Sequence, residues 1–201
     1  VANGYTKAVL DFCEKIANII KYNKLTTLLM AGNVATYQGA LNLEKVGVDL
    51  VRVGIGSGTL CTTRNMTGIG VPQITAIQNC SNVSSYTVAD GGIRNSGDVV
   101  KALVAGADVV MIGTSFGKTE ESAHNGIIYG MASRKLQEEY YHSVKSVEGL
   151  EKTMEKTQSL EDFITEFIYG IKSACTYVNS RNLSELRSNA KFIRAGTGSI
   201  K

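Results

Sequence analysis

The chain has 201 residues, of which 43% are hydrophobic and 19% are charged, so we expect one globular domain over residues 1–201. Its 21 basic and 18 acidic residues are spread along the chain and leave a net charge of +3, without the basic block that is typical of a nucleic-acid-binding surface. No apolar run has the length of a membrane span, and the first residues do not resemble a signal peptide. These features favour a cytoplasmic protein without nucleic-acid or membrane partners.

The four cysteines, Cys13, Cys61, Cys80 and Cys175, show neither the spacing of a metal site nor the density of a disulfide scaffold, so we expect reduced thiols. Cys13 lies on the apolar face of a helix predicted over residues 6–21, where it would be part of the core. A short strand is predicted over residues 26–31. A second helix follows over residues 36–46, and Gly47 ends it.

A nine-residue pattern occurs twice, at residues 46–54 and 105–113. Both copies read as a small or apolar residue, Gly, a small residue, Asp, an apolar stretch and Gly. Such a pattern is typical of a helix end, a tight turn, and a buried parallel strand with a glycine at its carboxyl end.

Between the two copies, Pro72 is suited to be the first residue of a helix that runs to Cys80. A strand over residues 86–89 follows, and Ser96 can cap a helix over residues 99–105. Strands that begin near residues 26, 49, 86 and 108 and alternate with helices predict a parallel sheet.

A parallel α/β sheet is either open or closed into a (β/α)8 TIM barrel, and the absence of a GxGxxG fingerprint favours the barrel. Such a barrel takes about 250 residues, so this chain would hold roughly the C-terminal half, with the rest upstream of Val1. Barrels of this kind often bind phosphate at the loops after their last two strands. Here these loops are Asp-Gly-Gly at residues 90–92 and Gly-Thr at residues 113–114.

The chain becomes more polar after residue 112, and we interpret residues 118–158 as a mobile flap above the barrel rather than a second domain. Ser159 then caps a helix that runs to about residue 174, with an apolar face that would pack on the outer ring. Cys175 at the end of this helix is expected in the core.

The stretch from residue 54 to 70, GIGSGTLCTTRNMTGIG, follows an apolar strand and concentrates glycine, threonine and one cysteine. Parallel α/β barrels place catalytic residues in such loops. Glycine lets the backbone approach a ligand closely, and neighbouring hydroxyls and a cation can favour the reactive thiolate. Cys61 is therefore the candidate nucleophile.

This cysteine loop resembles that of the IMP dehydrogenase and GMP reductase family. So do ADGGIRNSGDVVKAL at 89–103, VVMIG at 109–113, GMAS at 130–133 and VEG at 147–149. The resemblance extends from Val1 to Arg194. Two features are similar to the reductase branch: the start VANGY, and the interval of only 13 residues, 134–146, between GMAS and VEG.

The resemblance implies an oxidoreductase that converts GMP to IMP and ammonia with NADPH. Cys61 would attack C2 of the purine and form a thioimidate, which divides a difficult substitution into two steps. Thr63 and Glu148 match the family's proton-relay pair, which would protonate the leaving amine. From the residues alone, Thr63 could instead only brace the loop, and Glu148 could be a solvated flap residue.

The family's binding residues fall on three sets of positions. The purine nucleotide, GMP or IMP, would be bound by Thr59, Asp90, Gly91, Gly92, Gly113, Thr114, Gly130, Met131, Ala132, Lys145, Ser146 and Gly149. The nicotinamide would contact Val1, Ala2, Ile55, Gly56 and Met131. A monovalent cation, potassium, would be held by carbonyl groups of Gly56, Gly58, Cys61 and Arg64. Asp90 suits ribose hydroxyls because a carboxylate accepts several hydrogen bonds, and amides near Gly92 and Gly113 can bind phosphate. The resemblance also implies a homotetramer.

Three alternatives stay open at this point. The same cysteine could serve an IMP dehydrogenase, which oxidises IMP to XMP with NAD. An FMN-dependent oxidoreductase barrel also uses DGG-like phosphate turns, but without an essential cysteine. The chain could also be a non-catalytic, nucleotide-binding fragment.

Overall fold

The computed structural model describes residues 3–130, 132–144, 147 and 149–196. The strands are β1 (Met30–Val34), β2 (Leu50–Val53), β3 (Tyr86–Asp90), β4 (Val109–Met111), β5 (Ile127–Tyr129) and β6 (Glu151–Thr153). The helices are α1 (Lys7–Tyr22), α2 (Tyr37–Lys45), α3 (Thr63–Thr67), α4 (Gln73–Cys80), α5 (Ser96–Ala105), α6 (Arg134–Tyr141), α7 (Leu160–Tyr177) and α8 (Leu183–Asn189). Within these described ranges, no helix is both long and apolar enough to cross a membrane.

The first four strands form one parallel sheet in the order in which they occur in the chain. Helices α2, α4 and α5 lie between successive strands in sequence and pack against one face of the sheet. Val51, Val53 and Ala89 are completely buried on this outer face. The predicted α/β fold, with its alternating strands and helices, is confirmed.

The opposite, inner face of the sheet carries the side chains that alternate with this core. Met30, Tyr86 and Val109 lie on it and are 45%, 59% and 43% exposed. The strand register places Arg52 opposite Val88 on the same face, one layer closer to the carboxyl ends of the strands than Tyr86. Apolar and aromatic side chains therefore lie on the inner face near the amino ends of the strands, and the loops with the predicted site lie at the carboxyl ends.

The repeated aspartate has the same structural role in both copies. Asp49 accepts the Leu29 N–H at Oδ2 over 2.7 Å and donates its own N–H to the Leu29 carbonyl over 2.9 Å. Asp108 makes the same pair of hydrogen bonds with Thr87, at 2.8 and 2.9 Å. In both copies of the repeat, the aspartate therefore connects the start of its own strand to the preceding part of the sheet by two hydrogen bonds.

Three helix starts agree with the sequence prediction to within a residue. The hydroxyl groups of Thr6, Thr36 and Ser159 accept backbone N–H groups in the first turns of α1, α2 and α7. Gly47 follows the end of α2 with φ +86°, a conformation that glycine adopts at little cost. Cys13 is buried on α1, as predicted.

The first strand was predicted four residues too early. It begins at Met30 rather than near residue 26 and continues to Val34. Leu28 is 62% exposed, and the Leu29 amide is held by Asp49. The apolar run thus begins in a connecting segment, and strand pairing decides where the sheet starts.

Two predicted helix starts are also wrong in detail. Asn95, and not Ser96, caps α5, because its Oδ1 accepts the Asp98 N–H over 2.9 Å. Pro72 has ψ 133° and precedes α4, which begins at Gln73. The capping residue of α5 is therefore one residue before the predicted one and the helix begins three residues before the predicted range, whereas α4 begins one residue later than predicted.

The long helix α7 presents a narrower buried stripe than its apolar residues suggest. Phe163 and Phe167 are buried against the core, whereas Ile164 and Ile168 are exposed. Cys175 is half-buried, so its prediction as a core residue is wrong. The short helices α3 and α8 were not predicted.

The segment predicted as a flap has regular structure. β5 and β6 pair antiparallel, with Ile127 opposite Thr153, and α6 lies between them in the chain. The bounds of the flap and its mobility stay predictions.

Candidate active site

Cys61 lies in the loop after β2 and is half-buried. Its Sγ donates a hydrogen bond to Thr63 Oγ1 over 3.1 Å. Thr63 is the first residue of α3, so the short helix fixes this hydroxyl two residues beyond the thiol. The structure therefore pairs the candidate nucleophile with a hydroxyl that can exchange a proton with it.

Two of the predicted substrate residues lie against the cysteine loop. Cys61 forms a β-bridge with Gly149, and the Leu150 N–H donates to the Leu60 carbonyl over 3.0 Å. Gly130 packs directly on Gly149, because a Cβ added to Gly130 would lie 2.9 Å from the Gly149 Cα. The two ends of the 130–150 segment thus meet beside the nucleophile.

Asp90 ends β3, and the turn that follows it touches the same loop. Asp90 Oδ2 accepts hydrogen bonds from Asn33 Nδ2 over 2.8 Å and from Arg52 Nη2 over 2.7 Å. Gly91 has φ +93°, and a Cβ at this position would lie 2.6 Å from Ser57 Oγ. Only a residue without a side chain allows this close contact between the two loops.

The two predicted phosphate loops are joined by one side chain. Ser115 Oγ donates to the carbonyl of Ile93 at 3.4 Å and to that of Arg94 at 3.3 Å, connecting the turn after β4 with the turn after β3. Within the described part of the chain, the N–H groups of Gly92, Gly113 and Thr114 donate no hydrogen bond. Such amides at neighbouring turns can bind an anion.

The remaining predicted positions have more varied surroundings. Thr59 is exposed in the cysteine loop, and the half-buried Ala132 accepts a hydrogen bond from Gln137 at its carbonyl over 3.0 Å. Ile55 is half-buried, and Gly56 has φ +72°. Six predicted residues lie outside the described residues: Val1, Ala2, Met131, Lys145, Ser146 and Glu148.

The predicted cation ligands all lie in the cysteine loop and the start of α3. The Gly58 carbonyl accepts the Cys61 N–H over 3.0 Å, and the Arg64 carbonyl accepts the Gly68 N–H over 3.0 Å. The Arg64 side chain lies where side chains on Gly56 and Gly70 would be, and its Nη2 donates to the Val71 carbonyl over 2.9 Å. Arg64 therefore braces the loop with its side chain as well as its backbone.

Two of the other cysteines, Cys13 and Cys80, are buried. Burial raises the pKa of Cys80 to about 12, and burial also raises the pKa of Cys13. A thiol that stays protonated is a poor nucleophile, so these two cysteines are inert parts of the core.

Sequence reasoning missed four residues that surround Asp90. Asn33 and Arg52 bind its carboxylate, while Ser57 Oγ and Gln73 Nε2 donate to its backbone carbonyl over 2.8 and 3.2 Å. One signal was present. Arg52 is a charged residue inside an apolar strand, at the position that Met111 occupies in the second copy of the repeat.

A family model for the IMP dehydrogenase / GMP reductase domain matches residues 1–201. Inosine-5'-monophosphate dehydrogenase of Borreliella burgdorferi is 40% identical over 224 residues, which cover 100% of this chain and 54% of that protein. GMP reductase of Caenorhabditis elegans is 38% identical over 210 residues, which cover 96% of this chain and 58% of that protein. The chain thus spans about half the length of these relatives.

Among solved structures, that of GMP reductase from Trypanosoma brucei in complex with guanosine 5'-monophosphate matches with a TM-score of 0.87. The sequences are 28% identical, and the match covers 98% of this chain and 44% of that chain. The four consecutive strand–helix units described above are therefore part of a barrel. The chain belongs to the IMP dehydrogenase / GMP reductase family.

Proposed function

We propose that the protein reduces GMP to IMP and ammonia with NADPH, by covalent chemistry at Cys61. The observation that carries this proposal is the 3.1 Å contact between Cys61 Sγ and Thr63 Oγ1, in a loop that touches the Asp90 turn. A nucleophile beside a proton-exchanging hydroxyl suits substitution at C2 of a purine.

The proposed nucleotide site uses the groups that converge at the carboxyl ends of the strands. The N–H groups of Gly92, Gly113 and Thr114 would bind the phosphate, and the Asp90 carboxylate would accept hydrogen bonds from the ribose. The base would then lie near Cys61. Bound GMP in the Trypanosoma brucei structure supports this class of ligand.

In the first step, the Cys61 thiol gives up its proton as Sγ forms a bond to C2. The bond between C2 and the exocyclic amine breaks, and the amine leaves as ammonia after it gains a proton. Thr63, which accepts the thiol hydrogen bond, would pass the proton on together with Glu148, which lies outside the described residues. A thioimidate between Cys61 and the purine remains.

NADPH supplies a hydride to C2 when it is bound. The bond between Sγ and C2 then breaks, which releases IMP and returns the thiolate of Cys61. Of the residues that would hold the nicotinamide, the structure describes Ile55 and Gly56, which lie in the same loop as Cys61.

We propose that a potassium ion binds to the carbonyl oxygens of Gly56, Gly58, Cys61 and Arg64. Hard cations prefer oxygen ligands, and carbonyls that accept one hydrogen bond keep a second lone pair for a cation. Such an ion would stabilise the shape of the cysteine loop.

An IMP dehydrogenase is the second candidate, and the relative from Borreliella burgdorferi favours it. It would use the same cysteine, with hydride transfer to NAD and hydrolysis of the thioimidate to XMP. The short interval after Ser133 favours the reductase. Helix α6 ends at Tyr141, and the chain is back at the cysteine loop by Gly149, which leaves little length for a larger flap.

The test is to incubate the full-length protein with GMP and NADPH and, in parallel, with IMP and NAD, while following nicotinamide absorbance. We expect NADPH to be consumed and IMP to form in the first mixture. NADH and XMP production in the second mixture alone would favour the dehydrogenase. No turnover in either would overturn the proposed function.

A further inference from the structure

The carboxylate of Asp90 is held asymmetrically. Its Oδ2 accepts hydrogen bonds from both Asn33 Nδ2 and Arg52 Nη2, at 2.8 and 2.7 Å. Its Oδ1 has no hydrogen-bond partner among the described residues and is not sealed from solvent. Each carboxylate oxygen has two lone pairs, so the two donors occupy Oδ2, while Oδ1 keeps its capacity to accept hydrogen bonds.

The backbone of Asp90 is fixed as well. Ser57 Oγ and Gln73 Nε2 both donate to its carbonyl, and Gln73 Nε2 also donates to the Val53 carbonyl over 2.9 Å. Asn33 Nδ2 makes a second hydrogen bond to the Gly54 carbonyl over 2.8 Å. These contacts connect the ends of β1, β2 and β3 around a single carboxyl group.

Arg52 reaches Asp90 from the layer below. It pairs with Val88 in the strand register, so Asp90 is the next residue of β3 on the same face. The Arg52 side chain is partly buried, with 29% exposed, and its Nε is buried without a hydrogen-bond partner in the described part of the chain. A partly buried ion pair is weak evidence for added stability. The more informative property of the Arg52–Asp90 pair is that it fixes the orientation of the Asp90 carboxylate.

We propose that Arg52 and Asn33 are positioning residues that hold Asp90 with Oδ1 free for the ribose. They thereby give the site its preference for a ribonucleotide 2',3'-diol over a dideoxyribonucleotide. This proposal rests on the proposed function, because it assumes that a purine nucleotide occupies the site. Beyond that function, it assigns a positioning role to Arg52 and Asn33 and predicts selectivity for a nucleotide with both ribose hydroxyl groups.

The test compares two ligands, GMP and 2',3'-dideoxyguanosine monophosphate, by calorimetric titration of the full-length protein. The variant Arg52→Met removes the charged fork but keeps an unbranched side-chain stem. We expect it to lose about tenfold or more in GMP affinity, as for loss of a positioned charge-assisted contact. Affinity for the dideoxy nucleotide should stay nearly unchanged, so the ratio of the two affinities falls.

Arg94→Met is the matched control. Arg94 is four residues after Asp90, its side chain is 74% exposed and its nearest acidic partner is Asp98, so the affinity ratio should not change. In a protein that already carries Asp90→Asn, the Arg52→Met change should have no further effect on the ratio. Arg52→Lys, which keeps the charge, should restore part of it.

If Arg52→Met does not fold, Asn33→Ser gives the same comparison from the other donor. Equal loss of affinity for both nucleotides would show a merely structural role and overturn the proposal. An unchanged ratio in a folded Arg52→Met variant would overturn it as well. If the unaltered protein does not bind GMP, the proposed function fails and this proposal fails with it.

Discussion

At the scale of single residues, the chemistry of the site depends on which hydroxyl lies beside Cys61. Two adjacent threonines follow the cysteine, and the thiol donates its hydrogen bond to the second of them. Thr63 Oγ1 is 3.1 Å from Sγ, whereas Thr62 occupies the position before α3 without a side-chain capping hydrogen bond. The two residues can therefore be compared directly.

We expect Thr63→Val to lower kcat by about 10²–10⁴-fold, as is typical when a general acid–base group is lost. The change keeps the shape of the side chain and removes the hydroxyl that receives the thiol hydrogen bond. Steady-state kinetics of the full-length protein measure the effect, with Thr62→Val as the matched control. Equal losses in both variants would mean that Thr63 only braces the loop.

The residues that could be predicted from the sequence are those in short, unusual patterns. Cys61 stands in a glycine- and threonine-rich loop, and Asp90 precedes two glycines at the end of a strand. Arg52 and Asn33 could not be assigned, because their importance arises from contacts 38 and 57 residues away in the chain. Such non-local contacts are decided by strand register rather than by local pattern.

At the scale of secondary-structure elements, one close contact holds two helices together. α5 packs against α7, and Gly170 of α7 lies directly over Ser96 at the start of α5. A side chain on Gly170 would overlap the Cβ and Oγ of Ser96. The glycine is thus needed for packing, although it lies in the interior of a helix.

The variant Gly170→Ala sets two effects against each other. Helix propensity alone favours alanine by about 1 kcal/mol, whereas forcing an extra group into a close contact costs about 1–3 kcal/mol. We expect the second effect to win and the midpoint of urea unfolding to fall. The added change Ser96→Gly should relieve the overlap and restore part of the loss. A more stable Gly170→Ala protein would show that the two helices can separate without cost.

The bounds of elements were predictable where a capping residue stands at the boundary, as at Thr36 and Ser159. The bounds of a helix were harder to predict where two residues that can cap it are adjacent. Asn95 and Ser96 both have capping side chains, and the packing of Ser96 against Gly170 places it within the helix. The local sequence pattern alone does not distinguish these two choices.

At the scale of the whole molecule, the four-stranded sheet has a covered outer face and an inner face on which several side chains are exposed. Its edge strands are β1 and β4. The inner-face side chains Met30, Tyr86 and Val109 are largely accessible, which agrees with a chain that spans about half the length of its relatives. The barrel class could be predicted because alternating strands and helices have few stable arrangements.

The structure of the segment interpreted as a flap was harder to predict than the sheet. Its polar sequence indicated a mobile flap, but β5 and β6 pair across 21 intervening residues, and the segment meets the cysteine loop at Gly149. Short strands with exposed side chains give little hydrophobic pattern, so pairing of this kind leaves a weak signal. Because Gly149 forms a β-bridge with Cys61, this segment lies beside the proposed nucleophile.

That claim, covalent catalysis by Cys61, is tested most directly by trapping the adduct. The full-length protein is incubated with IMP and NADP, quenched in acid, digested with trypsin and analysed by mass spectrometry. The expected peptide, residues 53–64, contains Cys61 as its single cysteine. We predict that this peptide carries the purine nucleotide, and that Cys61→Ala abolishes the adduct and turnover while GMP still binds. Turnover by Cys61→Ala, or a nucleotide attached to a different cysteine, would contradict the account.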